Sequence, residues 1–538
     1  MLQSKDRRPR LALRLIDGES ALAATLTGTR VVAAPVPAID AGNNPRSART
    51  GVALVAVLTV VAAALRLERL QYGYAHGSID YDAGVYMGSA LQLVDGRLPY
   101  RDFVLVHPPA ITVLLAPLAL LAKVIGSAQA FALAKIVTGL AGAASVPLAA
   151  RLVWHRGLPV ALVAAAVLAV HDDVVSSAYE VLLEPWVVLF CLLGAVLVFD
   201  GDRIGTGRRM WWGAAVLGIA CATKIWAIAP VLVLAALCLP DLRRLRRYLG
   251  GVAVGFAVIV VPFAIFAPGA FVREVFVVQL LRSSTERTAL GHRLLHLFSV
   301  APPNGRLPSA HLDLLVAGAV LMGLLLAVAG VVLVRHGSPL ERFAALSAAA
   351  SVAMMLGADT FYWHYATFAV PFLALVAALT IARLRGLGRR LWTGLLAVCI
   401  AALSWTMVHR DLRDYRVRID SALTSVVPRG ACVVTSMASS TVTSDRFATG
   451  PRCPALLDSF GVALTYGNGD SPSLQTLRDP RLRALWLRAY RHADWLYLVR
   501  RNTPTVPSDP VLRRYLRTHF DRVYGTGLHG ALYERKAS

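Results

Sequence analysis

The chain has 538 residues, of which 56% are apolar, and carries a formal net charge of +23. Its mean hydropathy of +0.58 excludes a soluble globular protein of this length. Nucleic-acid binding is excluded as the reason for the charge, because the arginines sit in short clusters between apolar runs, the pattern of loops joining membrane helices.

In chain order, residues 1–49 show no signal-peptide core and read as a disordered cytoplasmic tail. Apolar runs follow at roughly 50–67, 129–151, 157–171, 185–199, 210–224, 226–240, 250–268, 312–334, 342–357, 366–384 and 391–408. They mark a polytopic α-helical membrane protein with about 11 transmembrane helices. The run 109–125 is long enough to cross as well. If it lies at the outer interface instead, the clusters at Arg151/Arg156, Arg203/Arg208/Arg209, Arg243–Arg247, Arg335/Arg342 and Arg383–Arg390 all face the cytoplasm, as the positive-inside tendency requires. The chain then divides into the tail, a membrane domain over 50–408 whose first outer loop is 68–128, and an extracytoplasmic domain over 409–538. Three spans (157–171, 210–224 and 226–240) are short, so their outer ends should form a recessed site.

The first outer loop concentrates ionisable groups in a chain with only 32 acidic residues. Its segment IDYDAGVYMGSALQLV has helical spacing and places Asp82 in the first turn, where the helix dipole favours an ionised carboxylate. Asp82 is therefore a candidate general base; the plainer account makes Asp80 or Asp82 an N-cap. Asp102 and His107, the latter followed by two prolines, are candidate substrate ligands, although a lone histidine is more often structural. In the next outer loop Glu184 opens a membrane helix, where an ionisable group is functional or paired, while Asp172, Asp173 and Glu180 read as lying at the aqueous edge. Lys224 stands between two apolar runs without neighbouring arginines and could neutralise a phosphate; snorkelling to the interface explains it as well, and explains Lys135 better. The loop 268–311 carries Arg273, Arg282, Arg287, Arg293 and Arg306, an outer basic cluster that suits an anionic lipid phosphate or an amphipathic interfacial helix. His364 and Tyr365 stand at the outer end of a later span, where an aromatic belt is the competing account.

After residue 409 the composition becomes soluble. ACVVTS (431–436) and DWLYLVRR (494–501) read as strands and LRALWLRAYRH (482–492) as a helix, so the tail is a small α/β domain for acceptor binding or scaffolding. Cys432 and Cys453 are an isolated polar pair that suggests a disulfide and hence an oxidising compartment. Neither the helices nor the tail shows a zinc-type cluster or a phosphate loop.

Taken together, IDYDAGVY…GRLPYRDFVLVHPP, VLLEP and GIACATK resemble the GT-C superfamily of polyprenyl-phosphate-sugar-dependent membrane glycosyltransferases, in particular the protein O-mannosyltransferase and lipid A aminoarabinose transferase types. The resemblance spans roughly 50–408. Here Asp102 stands five positions before His107, and Asp82–Ala83 replaces the family's acidic pair. The base is thus Asp82 or Asp80, with the Asp-x-x-x-Tyr spacing favouring Asp82. The resemblance implies an inverting transfer from a polyprenyl-phosphate sugar to an envelope glycan, lipid or protein acceptor, at the outer face of a bacterial plasma membrane. Glu184, Lys224, Arg282, Arg287, His364 and Tyr365 would bind the substrates among membrane lipids. No cofactor is required, though a divalent cation could be held by Asp82, Asp102 or Glu184, since some relatives bind one. The Arg-over-Lys, Ala/Val-rich composition points to a GC-rich bacterium such as an actinobacterium, where similar enzymes transfer mannose or arabinose. The alternative is a transporter or flippase, against which the lack of an internal repeat argues.

Overall fold

The computed structural model describes residues 45–73, 75–77, 80–283, 288–301, 312–409, 421–466, 479–499, 505–507, 509–525 and 530–537. Of the expected tail, residues 1–44 lie outside this set, and helix α1 (Pro45–Leu67) already includes the rest. Long runs of Ala, Val and Leu, which lose little rotamer freedom or bury well, form the helices that follow. These are α2 (Tyr81–Val94), α3 (Ala110–Ile125), α4 (Ser127–Val153), α5 (Leu158–Val170), the short α6 (Asp172–Ser176) and α7 (Glu184–Val198). A two-residue hairpin, β1 (Phe199–Asp200) and β2 (Arg203–Ile204), turns the chain into α8 (Gly207–Thr223), α9 (Ile228–Cys238) and α10 (Leu242–Ala264). Short α11 (Pro268–Val272), α12 (Val278–Leu280) and α13 (Leu290–Leu297) precede α14 (Leu312–His336), α15 (Pro339–Gly357), α16 (Ala366–Arg383) and α17 (Gly386–His409).

Among the described residues, seven helical segments are long and apolar enough to cross a membrane: Ala48–Gln71, Ser127–Arg156, Leu242–Ala264, Leu312–His336, Pro339–Gly357, Trp363–Arg383 and Gly386–His409. Shorter apolar helices stand among them. The 13 residues of α5 extend about 20 Å, short of the ~30 Å apolar layer. Beyond α5 the chain runs through an irregular segment, 171–183, in which every residue is buried.

That burial corrects three sequence expectations. Asp172, Asp173 and Glu180 are not at an aqueous edge: α13 and its flanks cover the two aspartates, and Glu180 is buried against Lys135 of α4. His171 Nε2 donates to the Leu297 carbonyl (3.0 Å), the Asp172 N–H to Ser299 Oγ (2.7 Å), and His296 Nδ1 lies 3.1 Å from Asp173. Desolvation pushes the Asp173 carboxyl well above the usual range, with the Asp172 charge adding to it. Lys135 does not snorkel; it is buried, binds the Gly77 carbonyl and pairs with Glu180 at 3.3 Å. Arg293, counted among the outer phosphate-binding arginines, is spent on the carbonyls of Met355, Leu356 and Ala358 at the end of α15, acceptors left open by the helix terminus.

The C-terminal region adds α18 (Ser421–Val426), β3 (Val433–Thr435), α19 (Ala438–Thr443), α20 (Ser459–Tyr466), α21 (Pro480–His492), β4 (Trp495–Leu498), α22 (Pro510–His519), β5 (Phe520–Tyr524) and β6 (Ala531–Arg535). The sheet order is β3-β4-β6-β5, with β3 and β4 parallel and the other pairs antiparallel. The two strands and the helix read from the sequence are present; the closing hairpin β5–β6 was not foreseen. Cys432 and Cys453 are bonded, with Cα atoms 5.3 Å apart.

This domain packs directly on α2. A Cβ on Gly84 would fall 2.1 Å from the Ser439 backbone nitrogen, so only glycine permits α19 to lie this close to α2. Arg97 donates to the Cys453 carbonyl (2.8 Å), and Asp445 accepts from the Ala128 N–H at the start of α4 (2.8 Å).

Candidate active site

Asp80 caps α2: its Oδ1 accepts from the Ala83 N–H at 3.1 Å. Burial first, then the charges of Asp82 and Glu180, push its carboxyl up to about 7. Asp82, one turn position further, is half-buried, and among the described residues nothing hydrogen-bonds its carboxylate. The cap and the candidate base are therefore different residues. Both face a cavity of about 230 Å³ lined also by Tyr86, His107, Lys224, Arg282, Tyr362, His364, Tyr365, Asp458 and Thr505.

Each wall is placed by a helix end. Lys224 follows the last turn of α8, and His364 and Tyr365 precede α16. Glu184, at the N-terminus of α7, does not line the cavity. It stands behind it, bonded to Lys224 and 2.9 Å from His364 Nδ1, and so acts on the site through those two side chains. Lys224 also lies 4.5 Å from the Tyr365 ring centroid and 5.0 Å from that of Trp226, contacts that favour a desolvated ammonium.

Arg282 donates to the Tyr362 hydroxyl (3.0 Å), stacks 5.3 Å from the Tyr362 ring and 5.2 Å from Phe460, and leaves its buried Nε without a partner among the described residues. No carboxylate there pairs with it. It is thus a fixed cation open to an anionic ligand.

His107 is set by its neighbours. Its carbonyl accepts from the Tyr100 hydroxyl (2.7 Å), Tyr100 itself being held in a left-handed conformation (φ 68°), and its ring meets Tyr86 edge-on at 5.8 Å. Burial, with Lys224 and Arg282 adding, lowers its pKa to about 3. It is a neutral hydrogen-bonding ring and not a cationic phosphate ligand.

One expected ligand is elsewhere. Asp102 is exposed, accepts from the Leu98 N–H (2.7 Å) and pairs with Arg101 (2.7 Å); it closes its own turn and is absent from the cavity wall. Arg287 lies outside the described residues. Conversely, Asp458 was missed. Its only local signal is an Asp-Ser pair before a short helix, and nothing in the sequence links it to Tyr81, 377 positions away. Among the described residues no group of three or more His, Cys, Asp or Glu side chains could hold a metal ion.

Residues 105–358 match the model of Glycosyltransferase family 87. The match takes in His107, Glu184, Lys224 and Arg282, and stops short of Asp82 on one side and His364 on the other. The structure is similar to that of ArnT from Cupriavidus metallidurans in the apo state, at 15% identity and a TM-score of 0.55, over 90% of this chain and 98% of that one. It is likewise similar to ArnT from the same organism bound to undecaprenyl phosphate, at 15% identity and a TM-score of 0.52, over 91% and 98%. A comparison with curated proteins gives no match. The fold is a polytopic GT-C-type membrane fold, and the family match supports a glycosyltransferase.

Proposed function

We propose that the protein moves a sugar, with mannose or arabinofuranose favoured, from a polyprenyl-phosphate donor to a hydroxyl of a cell-envelope glycan, lipid or protein on the extracytoplasmic face. The observation that carries this reading is one cavity in which an unengaged carboxylate, Asp82, faces two cations, Arg282 and Lys224. Asp82 takes the acceptor proton as that oxygen bonds to the anomeric carbon, because the Asp80 carboxylate is occupied as the cap of α2 while that of Asp82 is unengaged among the described residues. The bond from that carbon to the phosphate oxygen breaks with its electron pair, and the configuration inverts. The polyprenyl phosphate leaves toward Arg282 and Lys224, whose charges are already in place and need no reorganisation. Support for a lipid phosphate donor comes from the ArnT structure bound to undecaprenyl phosphate, whose fold this chain shares.

The test is sugar transfer by the protein reconstituted in lipid, supplied with labelled decaprenyl-phosphate mannose or arabinose and an envelope extract. Asp82→Asn should lower turnover about 10³-fold, within the range of a lost general base, with an unchanged melting temperature. Full turnover in that variant would remove Asp82 from the role.

A further inference from the structure

Asp458 reaches the cavity from the α/β domain and not from the membrane helices. It is buried, and its Oδ1 accepts from the Tyr81 hydroxyl (2.9 Å) and the Gly461 N–H (2.6 Å). Among the described residues no hydrogen bond is made to Oδ2. The Tyr81 hydroxyl in turn accepts from the Phe460 N–H at 2.9 Å. Tyr81 is flanked in sequence by Asp80 and Asp82, so a single side chain ties the helix of the candidate base to the wall opposite. The close approach of Ser439 to Gly84 fixes the same two parts against each other one turn further on. A domain that was only displayed by the membrane helices would have no use for a buried carboxylate inside the cavity, where desolvation opposes its charge.

We propose that Asp458 is the acceptor-binding residue of the cavity: its free carboxylate oxygen accepts a hydrogen bond from a second hydroxyl of a sugar-like acceptor and so holds the reacting hydroxyl toward Asp82. Tyr81 is the positioning residue that aims Asp458. This rests on the reading of the cavity as a sugar-transfer site, and it gives the α/β domain a direct part in acceptor selection. An ionised oxygen with an open lone pair suits a vicinal diol better than an isolated hydroxyl, because the diol supplies a second donor once the first is committed to reaction.

The experiment uses the full chain in lipid nanodiscs with two classes of probe. Octyl mannoside and octyl arabinofuranoside report the acceptor side by saturation-transfer NMR, and undecaprenyl phosphate reports the donor side. The wild type should bind at least one glycoside. Asp458→Asn should weaken that binding about tenfold, the scale of a hydrogen bond to a charged group, while undecaprenyl phosphate binds within about twofold of the wild type, no more than a rim effect. Tyr81→Phe should weaken glycoside binding less, by about threefold, because Asp458 keeps its charge and loses only one of the two hydrogen bonds that aim it, and it covers the case in which Asp458→Asn does not fold. Unchanged glycoside binding in both variants overturns the proposal, and so does a wild type that binds undecaprenyl phosphate but neither glycoside. Failure of the wild type to bind undecaprenyl phosphate would instead count against the donor reading.

Discussion

The helices α7 and α16 each begin at one ionic cluster and end at another, and the two clusters are built on opposite rules. At the far ends, Glu341 is fully buried and fully engaged: it closes a capping box with Ser338, takes Arg383 Nε at 2.7 Å and lies 3.5 Å from Arg156. Asp202 completes that cluster with His155 (2.9 Å) and Arg156 (2.8 Å). At the near ends, Glu184 is equally buried, yet the groups around it stop short of satisfaction. Asp82 has no partner and Arg282 keeps an unpartnered nitrogen among the described residues. A satisfied network holds helices together, whereas an incomplete one with room beside it is poised for a ligand.

The sharpest way to break this contrast is Arg282→Ala. Turnover should fall about 10²- to 10³-fold, as for loss of a preorganised transition-state contact, with no change in melting temperature, and Arg282→Lys should recover part of it. A fall in stability instead would place Arg282 with the structural cluster. Glu341→Gln should do the reverse. Unpairing a buried charge network costs about 3 kcal/mol or more, seen as a lower melting temperature in detergent, with turnover per folded molecule unchanged.

Gly84→Val tests the junction that joins the cavity to the α/β domain. Overpacking against the Ser439 backbone should cost about 1–3 kcal/mol, and limited proteolysis should release the C-terminal region faster than in the wild type while the membrane helices stay intact. The smallest effect is in pH. Burial raises the Asp458 carboxyl to about 6, with the Asp82 charge adding and the Gly461 and Tyr81 hydrogen bonds opposing. Its folded pKa lies above the unfolded value of about 3.9, so its contribution to stability is present at acid pH and lost as pH rises through about 6, while acceptor binding needs the ionised form. Glycoside binding should therefore fall several-fold between pH 7 and 5 without loss of folding. Asp458→Asn should reduce that dependence to the share left by Asp80, which lines the same cavity with its carboxyl raised to about 7, and melt no lower than the wild type at pH 8, where its neutral amide oxygen still accepts both hydrogen bonds. Asp202 behaves oppositely. Although burial raises it, hydrogen bonds from His155 and Arg156 and the Arg156 charge leave its carboxyl below the usual range, so its stabilising share persists until the pH falls below the ordinary carboxylate value.

How much of the site was legible varies residue by residue. Glu184 and Lys224 stood out because an ionisable side chain beside an apolar run is rare and needs a reason, Asp82 as a carboxylate in the first turn of a helix, and Arg282 as one of an outer arginine cluster. Snorkelling was the wrong account of Lys135, which pairs with a buried carboxylate, and the search for site groups over-reached at Arg293, which the fold uses to satisfy buried carbonyls. It over-reached again at Asp102, which folds back on its own turn. Asp82 and Asp80 could not be told apart from spacing, since both positions suit a helix start. Only the hydrogen bond from Ala83 assigns the cap.

Hydropathy and residue pattern alone pointed to a bundle of membrane helices followed by an α/β tail, because the apolar layer and the period of strands and helices leave their mark on neighbouring residues. Tertiary structure decided which ionisable groups are spent on the fold and which are left over. It also decided that the tail reaches back to the cavity through Tyr81, Gly84 and Asp458. Those outcomes depend on contacts between residues hundreds of positions apart, where burial and partner choice are set by packing and no local pattern records them.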